Sequence, residues 1–268
     1  MKEITFRLAR PFHCPEFIIR TDCPVLTDWL SGYYGKYLHT ACGPAQPELA
    51  AYRNPVGGYT VSYGDYRIDT CSPLFDINRL AAEYTTYDPT VLALHGASVA
   101  AQGKAQVFLA ATTSGKTTLT AYLTARGAPY LTDDCVLLGR ADRLIHPCAT
   151  PLHLREGALS VLDSCGISPP YRYVDDGELQ RYAFVPEIVQ EDPIPLGNLY
   201  FLSRSEAPEN RLEPIPQTQA VQLLMQSVMP GYRITGAYLR LLAGLAEARC
   251  FRLIYNDMAF VEACIYGK

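Results

Sequence analysis

Several features are scarce in this sequence of 268 residues, and each scarcity excludes something. No apolar run reaches the ~18 residues that a membrane-spanning helix needs. The opening Met1-Lys2-Glu3-Ile4-Thr5-Phe6 has no apolar core of the kind a secretory signal carries. The nine cysteines contain no Cys-x-x-Cys and no paired Cys/His ligand spacing, which argues against a zinc module. The nearest approach to a metal cluster, His146, Cys148 and His153, fits no such spacing. An odd cysteine count without a signal segment points to a reducing cytoplasm. Lysine and arginine form no cluster and the net charge is −4, so nucleic acid is not the expected main partner. There is no internal repeat, no low-complexity stretch and no Gly/Ser-rich linker. What remains is globular in composition, 49% hydrophobic and 19% charged, and long enough for one large domain or two small ones.

The most informative stretch runs from Leu92 to Leu138. The apolar run Val107-Phe108-Leu109-Ala110 reads as a buried strand. Leu119, Tyr122 and Leu123 then fall at helical spacing, and Gly127 stands where a helix ends. Ser114-Gly115-Lys116-Thr117 therefore lies where a strand turns into a helix, the setting of a phosphate-binding loop. Backbone amides at such a turn have no internal partner and meet the positive end of the helix dipole, so they can cradle phosphate. Thr112, Thr113, Ser114, Gly115, Lys116, Thr117 and Thr118 are the expected cradle. Lys116 would reach the β- and γ-phosphates and the Thr117 hydroxyl would ligate Mg²⁺. The pattern G-x-x-x-x-G-K-[ST] is not intact, because Ala110 stands at the first glycine. A chance Gly-Lys-Thr opening an ordinary helix is the competing reading. Downstream, Tyr130-Leu131-Thr132 leads into Asp133-Asp134, and Val136-Leu137-Leu138 continues apolar. This reads as one strand carrying two acids toward the phosphates; turn residues or helix caps are the alternative.

These residues together resemble the HPr kinase/phosphorylase superfamily, most closely its HPr-kinase-related, lasso-peptide-type branch from peptide-biosynthesis clusters. The resemblance rests on His95-Gly96, the hairpin Gln102-Gly103-Lys104, the loop from Ala110 to Thr117, Arg126-Gly127 and Asp133-Asp134. Lys116 follows His95 by 21 residues and Asp133 follows Lys116 by 17. The likeness is strong over this middle fifth and weak elsewhere. It implies an α/β fold, an HPr-kinase/PEP-carboxykinase-like P-loop core with a small amino-terminal α+β part, and ATP with Mg²⁺ as cofactors. It implies Asp133 as the catalytic base, His95 and Lys116 beside the phosphates, and Asp134 with Thr117 at the metal. A Glu and an Arg lie downstream of the acid pair in that family. Leu154-Arg155-Glu156-Gly157 is the candidate counterpart, with Arg155 as a phosphate partner, although the order fits poorly and a surface turn is equally open.

Elsewhere the chain reads as short elements. Ile4–Leu8 and Phe17–Arg20 are expected strands. Thr21-Asp22 with Pro24 opens a helix whose stripe is Leu26, Trp29, Leu30 and Tyr33. Residues 48–70 read as an antiparallel meander, and residues 73–85, with Leu74, Phe75, Ile77, Leu80 and Ala81, as a helix. After Leu138 the pattern loosens. Residues 171–184 read as a hairpin, 199–202 and 251–255 as strands, and 220–229 and 237–248 as amphipathic helices. The expected division is an amino-terminal α+β subdomain, 1–88, and a P-loop kinase-like domain, 89–268.

The expected function is an ATP-dependent phosphotransferase acting on a Ser or Thr hydroxyl of a peptide or protein. A nucleotide-binding regulator or peptide-binding subunit without transfer is the alternative, since Ala110 and Thr113 replace glycines common in that family's loop. A small-molecule kinase is also open. No membrane or nucleic-acid partner is expected, a homo-oligomer is left open, and the expected location is the cytoplasm.

Overall fold

The computed structural model describes residues 4–8, 17–34, 38–40, 48–86, 90–111, 114–175, 180–205, 207–229 and 235–267. Among the described residues the protein is a mixed α/β molecule with three sheets and seven helices.

The amino-terminal sheet is built from β1 (Ile4–Leu8), β2 (Phe17–Thr21), β3 (Leu38–Thr40), β4 (Glu48–Arg53), β5 (Tyr59–Tyr63) and β6 (Tyr66–Thr70), in the order β3-β1-β2-β4-β5-β6. The expected meander is β4-β5-β6, antiparallel throughout. Two helices pack on this sheet, α1 (Pro24–Tyr34) and α2 (Pro73–Thr86). Leu26, Leu30 and Tyr34 are fully buried in α1, with Trp29 half-buried beside Tyr59. Tyr34 joins the stripe, and its hydroxyl bonds Asn78 of α2; the expected stripe member Tyr33 has its side chain outside the described residues. In α2 the stripe is Leu74, Ile77, Leu80 and Ala81, while Phe75 faces outward because it falls off the i, i+3, i+7 line.

The central sheet has nine strands. Its main path is β10 (Tyr130–Thr132), β8 (Gly96–Ala101), β9 (Lys104–Leu109), β16 (Ile194–Arg204), β12 (Leu144–His146), β11 (Val136–Gly139) and β7 (Val91–Leu94). On the side, β18 (Arg249–Tyr255) pairs with β16 and with β17 (Arg211–Pro214). Most pairs are antiparallel; β16 runs parallel to both β9 and β18. β7, β8 and β11 are buried along their whole length, as strands covered on both faces are. Helix α3 (Lys116–Ala125) packs on β8. The pair α5 (Gln217–Ser227) and α6 (Gly236–Leu245) buries Ala220, Leu224, Leu241 and Leu242, and α7 (Met258–Tyr266) follows β18.

A small third sheet, β13 (Leu152–Leu154), β15 (Gln180–Phe184) and β14 (Arg172–Asp175), stands beside α3, with α4 (Glu156–Ser164) leading out of β13. Residues 155–157 were open to a plain turn in the sequence. Instead Arg155 is the N-cap residue of α4 and Glu156 begins it. The helix escapes a pattern reading because it is short and has one fully buried residue, Leu162. One apolar cluster joins α1, α2 and the amino-terminal sheet to Phe108, Leu119, Leu123, Leu152 and Tyr255. No helix of the described residues is long and apolar enough to cross a membrane, and the seven described cysteines are free thiols.

Candidate functional site

The connectivity brings a set of strand ends to one edge of the central sheet. Because β9, β16 and β18 are parallel, their carboxyl ends lie side by side: Leu109 pairs with Phe201, and Arg204 with Tyr255. β8 is antiparallel to β9, with Gly96 opposite Leu109, so His95 sits at this same edge. β10 is antiparallel to β8, with Thr132 opposite Ser98, so Asp133 arrives there too. Open α/β sheets bind ligands at such carboxyl edges.

The loop after β9 bends into α3 at Gly115, whose φ of +89 an L side chain would strain. A Cβ there would stand 3.0 Å from the Tyr255 hydroxyl. Ser114 closes the turn, its hydroxyl donating to the Ala111 carbonyl at 2.8 Å. Gly127 has φ +95 just past the end of α3, the expected left-handed stop. Thr112 and Thr113 lie outside the described residues.

Lys116 is buried at the first position of α3. Its ammonium donates to the carbonyls of Ala110 at 3.0 Å and Ala111 at 3.2 Å, and lies 3.2 Å from His95 Nε2. An ammonium has three donors and no acceptor. His95 Nε2 must therefore accept, which puts the imidazole proton on Nδ1, where it donates to the Asp134 carbonyl at 3.2 Å. His95 thus links the loop lysine to the acid pair. Burial lowers the Lys116 pKa, against the opposing pull of Asp134 and Asp133.

The acid pair is not on a strand. β10 stops at Thr132, β11 starts at Val136, and Asp133-Asp134 form the bend between them. Asp134 has φ +66, the Cys135 amide donates back to the Asp133 carbonyl at 2.9 Å, and the Thr132 hydroxyl donates to the Cys135 carbonyl at 2.7 Å. The bend exists because the chain changes partners, leaving β8 for β7 and β12. The apolar run looks continuous in sequence because both strands are buried. The consequence is a divergence between the two acids: Asp133 is buried and Asp134 is exposed.

Asp133 lies beside the Thr117 hydroxyl, and its Oδ1 is buried with no hydrogen-bond partner. Burial, then the charge of Asp134, pushes its pKa up to about 8, against the Thr117 hydrogen bond and Lys116. A buried carboxylate oxygen without a partner is unfavourable, and such groups gather at functional sites. A divalent metal fits this arrangement. The Thr117 hydroxyl and the exposed Asp134 carboxylate are hard oxygen donors of the kind Mg²⁺ takes, beside the unpartnered Asp133 Oδ1. No three His, Cys, Asp or Glu side chains of the described residues gather into a metal cage; Mg²⁺ in nucleotide sites uses one or two carboxylates and completes its shell with phosphates and water. His146, of the loosely spaced trio, instead pairs with Asp142 at 2.8 Å.

These groups open into a cleft of about 530 Å³. One side is His95, Gly115, Lys116, Thr117, Thr118 and Asp134; the other is the third sheet with the start of α4, which bring His153, Arg155 and Arg181, and Arg204 projects from the end of β16. Of the cleft arginines the sequence singled out only Arg155. Arg181 sits in a tyrosine-rich hairpin and Arg204 two residues beyond an apolar run, positions with no motif to mark them. Tyr255, buried behind Gly115 with an unpartnered hydroxyl, was likewise readable only as a core residue.

The chain matches no protein-family model and no curated protein. Among solved structures it is similar to the Hpr(Ser) kinase/phosphatase from Coxiella burnetii, at 11% identity over 64% of this chain and 95% of that one, with a TM-score of 0.29. A superposition that loose carries no residue across, so the site stands on its own geometry.

Proposed function

We propose that the protein is an ATP-dependent phosphotransferase that phosphorylates a Ser or Thr hydroxyl on a peptide or protein. The observation that carries this reading is the buried Asp133 carboxyl, beside the Thr117 hydroxyl and the strand–loop–helix turn that bears Lys116, with Oδ1 without a partner and its pKa raised toward neutrality. A general base works best when its pKa lies near the working pH. Asp133 would accept the proton of the acceptor hydroxyl. The start of α3 would hold the β- and γ-phosphates through Ser114, Gly115, Lys116, Thr117 and Thr118, by the backbone amides and the helix dipole. Lys116 would leave the Ala110 and Ala111 carbonyls to meet phosphate oxygens, while His95 keeps the loop and the acid bend in register. Mg²⁺, held by Thr117 and Asp134, would neutralise charge on the phosphates. Phosphoryl transfer needs little beyond such positioning and charge stabilisation.

One observation favours a second reading, a nucleotide-binding regulator without transfer: the Lys116 ammonium is already satisfied within the protein, and Ala110 replaces the first loop glycine. The two readings separate by experiment. Candidate serine and threonine peptides are incubated with the protein and ATP–Mg²⁺, and the products are weighed by mass spectrometry. The transferase reading expects one added phosphate that disappears in Asp133→Asn. ATP binding with no transfer to any peptide or small hydroxyl compound would favour the regulator. The cytoplasmic location and the boundary near residue 88 belong to the same proposal.

A further inference from the structure

The cleft holds more positive charge than a phosphate loop requires, and among the described residues that charge has no carboxylate partner in an ion pair. The chain as a whole carries net charge −4. Yet Arg155, Arg181 and Arg204 converge on one cleft whose exposed carboxylate is Asp134. Among the described residues the arginine ion pairs lie elsewhere, Arg20 with Glu48, Arg79 with Asp76 and Glu83, Arg126 with Glu262, and Arg211 with Glu209 and Glu213. Arg181 makes a hydrogen bond only to the neighbouring carbonyl of Gln180, at 2.6 Å. A guanidinium stays charged at every relevant pH, so three of them lining one cleft favour an anion there. Lys116 does not share this role, because in the phosphotransferase reading its ammonium turns from the Ala110 and Ala111 carbonyls to the nucleotide phosphates.

The arginines are also divided in space. Arg204 stands at the end of β16, next to the strand that leads into the loop. Arg155 and Arg181 belong to the wall formed by β13, β15 and α4. On that wall burial and the charge of Arg181 push the His153 pKa down to about 4, so the imidazole adds no charge and the two arginines define the potential. The nucleotide phosphates have their own site in the amides at the start of α3. The facing guanidiniums, in a fork geometry that matches carboxylate bidentately, are left for the second substrate.

We propose that the acceptor is a carboxylate-bearing hydroxyl peptide whose acidic group is held by Arg155 and Arg181 across the cleft from the phosphate loop. This rests on the phosphotransferase reading, and the two can fail separately.

The test uses the full chain and three degenerate peptide pools, each with one central serine. One pool is neutral with an amidated end, one is amidated with Asp or Glu flanking the serine, and one is neutral with a free C-terminal carboxylate. Thermal shift with a saturating non-hydrolysable ATP analogue and Mg²⁺ reads binding without turnover. Labelled phosphate from ATP reads transfer. The expected result is stabilisation and labelling by one or both carboxylate pools over the neutral pool, by ~10-fold in apparent affinity. The pool that responds identifies the source of the carboxylate. Arg155→Gln and Arg181→Gln should erase that preference through a higher KM for peptide, with a smaller change in KM for ATP and a native melting temperature. Equal response to all pools, or to none, overturns the proposal, as does a loss confined to KM for ATP, which would assign the arginines to the nucleotide. If the analogue itself fails to stabilise the wild-type protein, the phosphotransferase reading falls instead; a carboxylate pool that still stabilises an Arg155- and Arg181-dependent state would keep the anion site.

Discussion

Asp133→Asn should stabilise the folded protein near neutral pH while abolishing its chemistry. The wild-type carboxyl is buried with Oδ1 unpartnered, and its pKa is pushed from 3.8 up to about 8. In the unfolded chain the same group titrates near 4. Between those values the folded protein binds more protons at this site than the unfolded one. The slope of unfolding free energy with pH is proportional to protons bound unfolded minus protons bound folded, so it is negative across this window. The contribution is fully present below about pH 4 and is lost as pH rises toward 8. Each unit within the window corresponds to ~1.4 kcal/mol, so raising the pH from 5 to 7 removes up to ~3 kcal/mol. Asparagine keeps the shape of the neutral acid and cannot ionise. The variant should match wild type below about pH 4, already exceed it at pH 5, and gain a further ~1–3 kcal/mol between pH 5 and pH 7; the lower end allows for Lys116 losing one of its two carboxylate neighbours. Urea unfolding followed by circular dichroism at pH 5, 6, 7 and 8 measures the difference. Titration of other groups is common to both proteins and cancels in it. A difference that stays constant with pH, or a variant less stable than wild type at pH 7, would refute the reasoning that Asp133 is held in an unfavourable ionised state.

Three further outcomes are expected. Asp133→Asn should lower the transfer rate by ~10²–10⁴ with ATP binding largely kept, measured by single-turnover transfer; near-normal turnover would move the base to Asp134. Lys116→Ala should weaken ATP binding or turnover by at least ~10-fold, measured by titration calorimetry and rate, and unchanged values would remove the phosphate-loop assignment. Tyr255→Phe deletes a buried hydroxyl with no partner and should leave the unliganded fold as stable as wild type or ~1 kcal/mol more so. It should also soften Gly115→Ala, whose new Cβ meets that hydroxyl at 3.0 Å, without relieving the strain at φ +89; equal melting points for Gly115→Ala with and without Tyr255→Phe would contradict this.

The strand–loop–helix turn at Gly115 was legible because its signals are local. A buried apolar run, Gly-Lys-Thr and a stop at Gly127 are dictated by backbone conformation and by periodicity within about twenty residues, and β9, α3 and the left-handed glycines follow from them. The same holds for β1, β2, α1, the meander β4-β5-β6 and the α6 stripe, which the hydrophobic pattern alone marks out; in α5 the expected stripe Val221-Leu224-Met225-Val228 keeps only Leu224 fully buried, beside Ala220. Elements without a strong pattern escaped: α4 has one fully buried residue, β17 lies near the edge of its sheet, and α7 is apolar all round, which hides its face. The acid pair was read in the wrong element, since a change of sheet partner leaves no trace in a run that is buried before and after it.

The sequence by itself therefore determined where phosphate chemistry would be sought and which residue types would serve it, because the turn, the lysine and the acids are set by short-range conformational rules. Only the tertiary structure decided which acid is buried, that His95 ties Lys116 to the Asp134 carbonyl, and that Arg181, Arg204 and Tyr255 join the site. Those facts come from parallel pairing of β9, β16 and β18 and from a third sheet folded against α3, contacts between residues far apart in the chain. Side-chain burial and electrostatic environment are properties of that packing, and no local pattern encodes them.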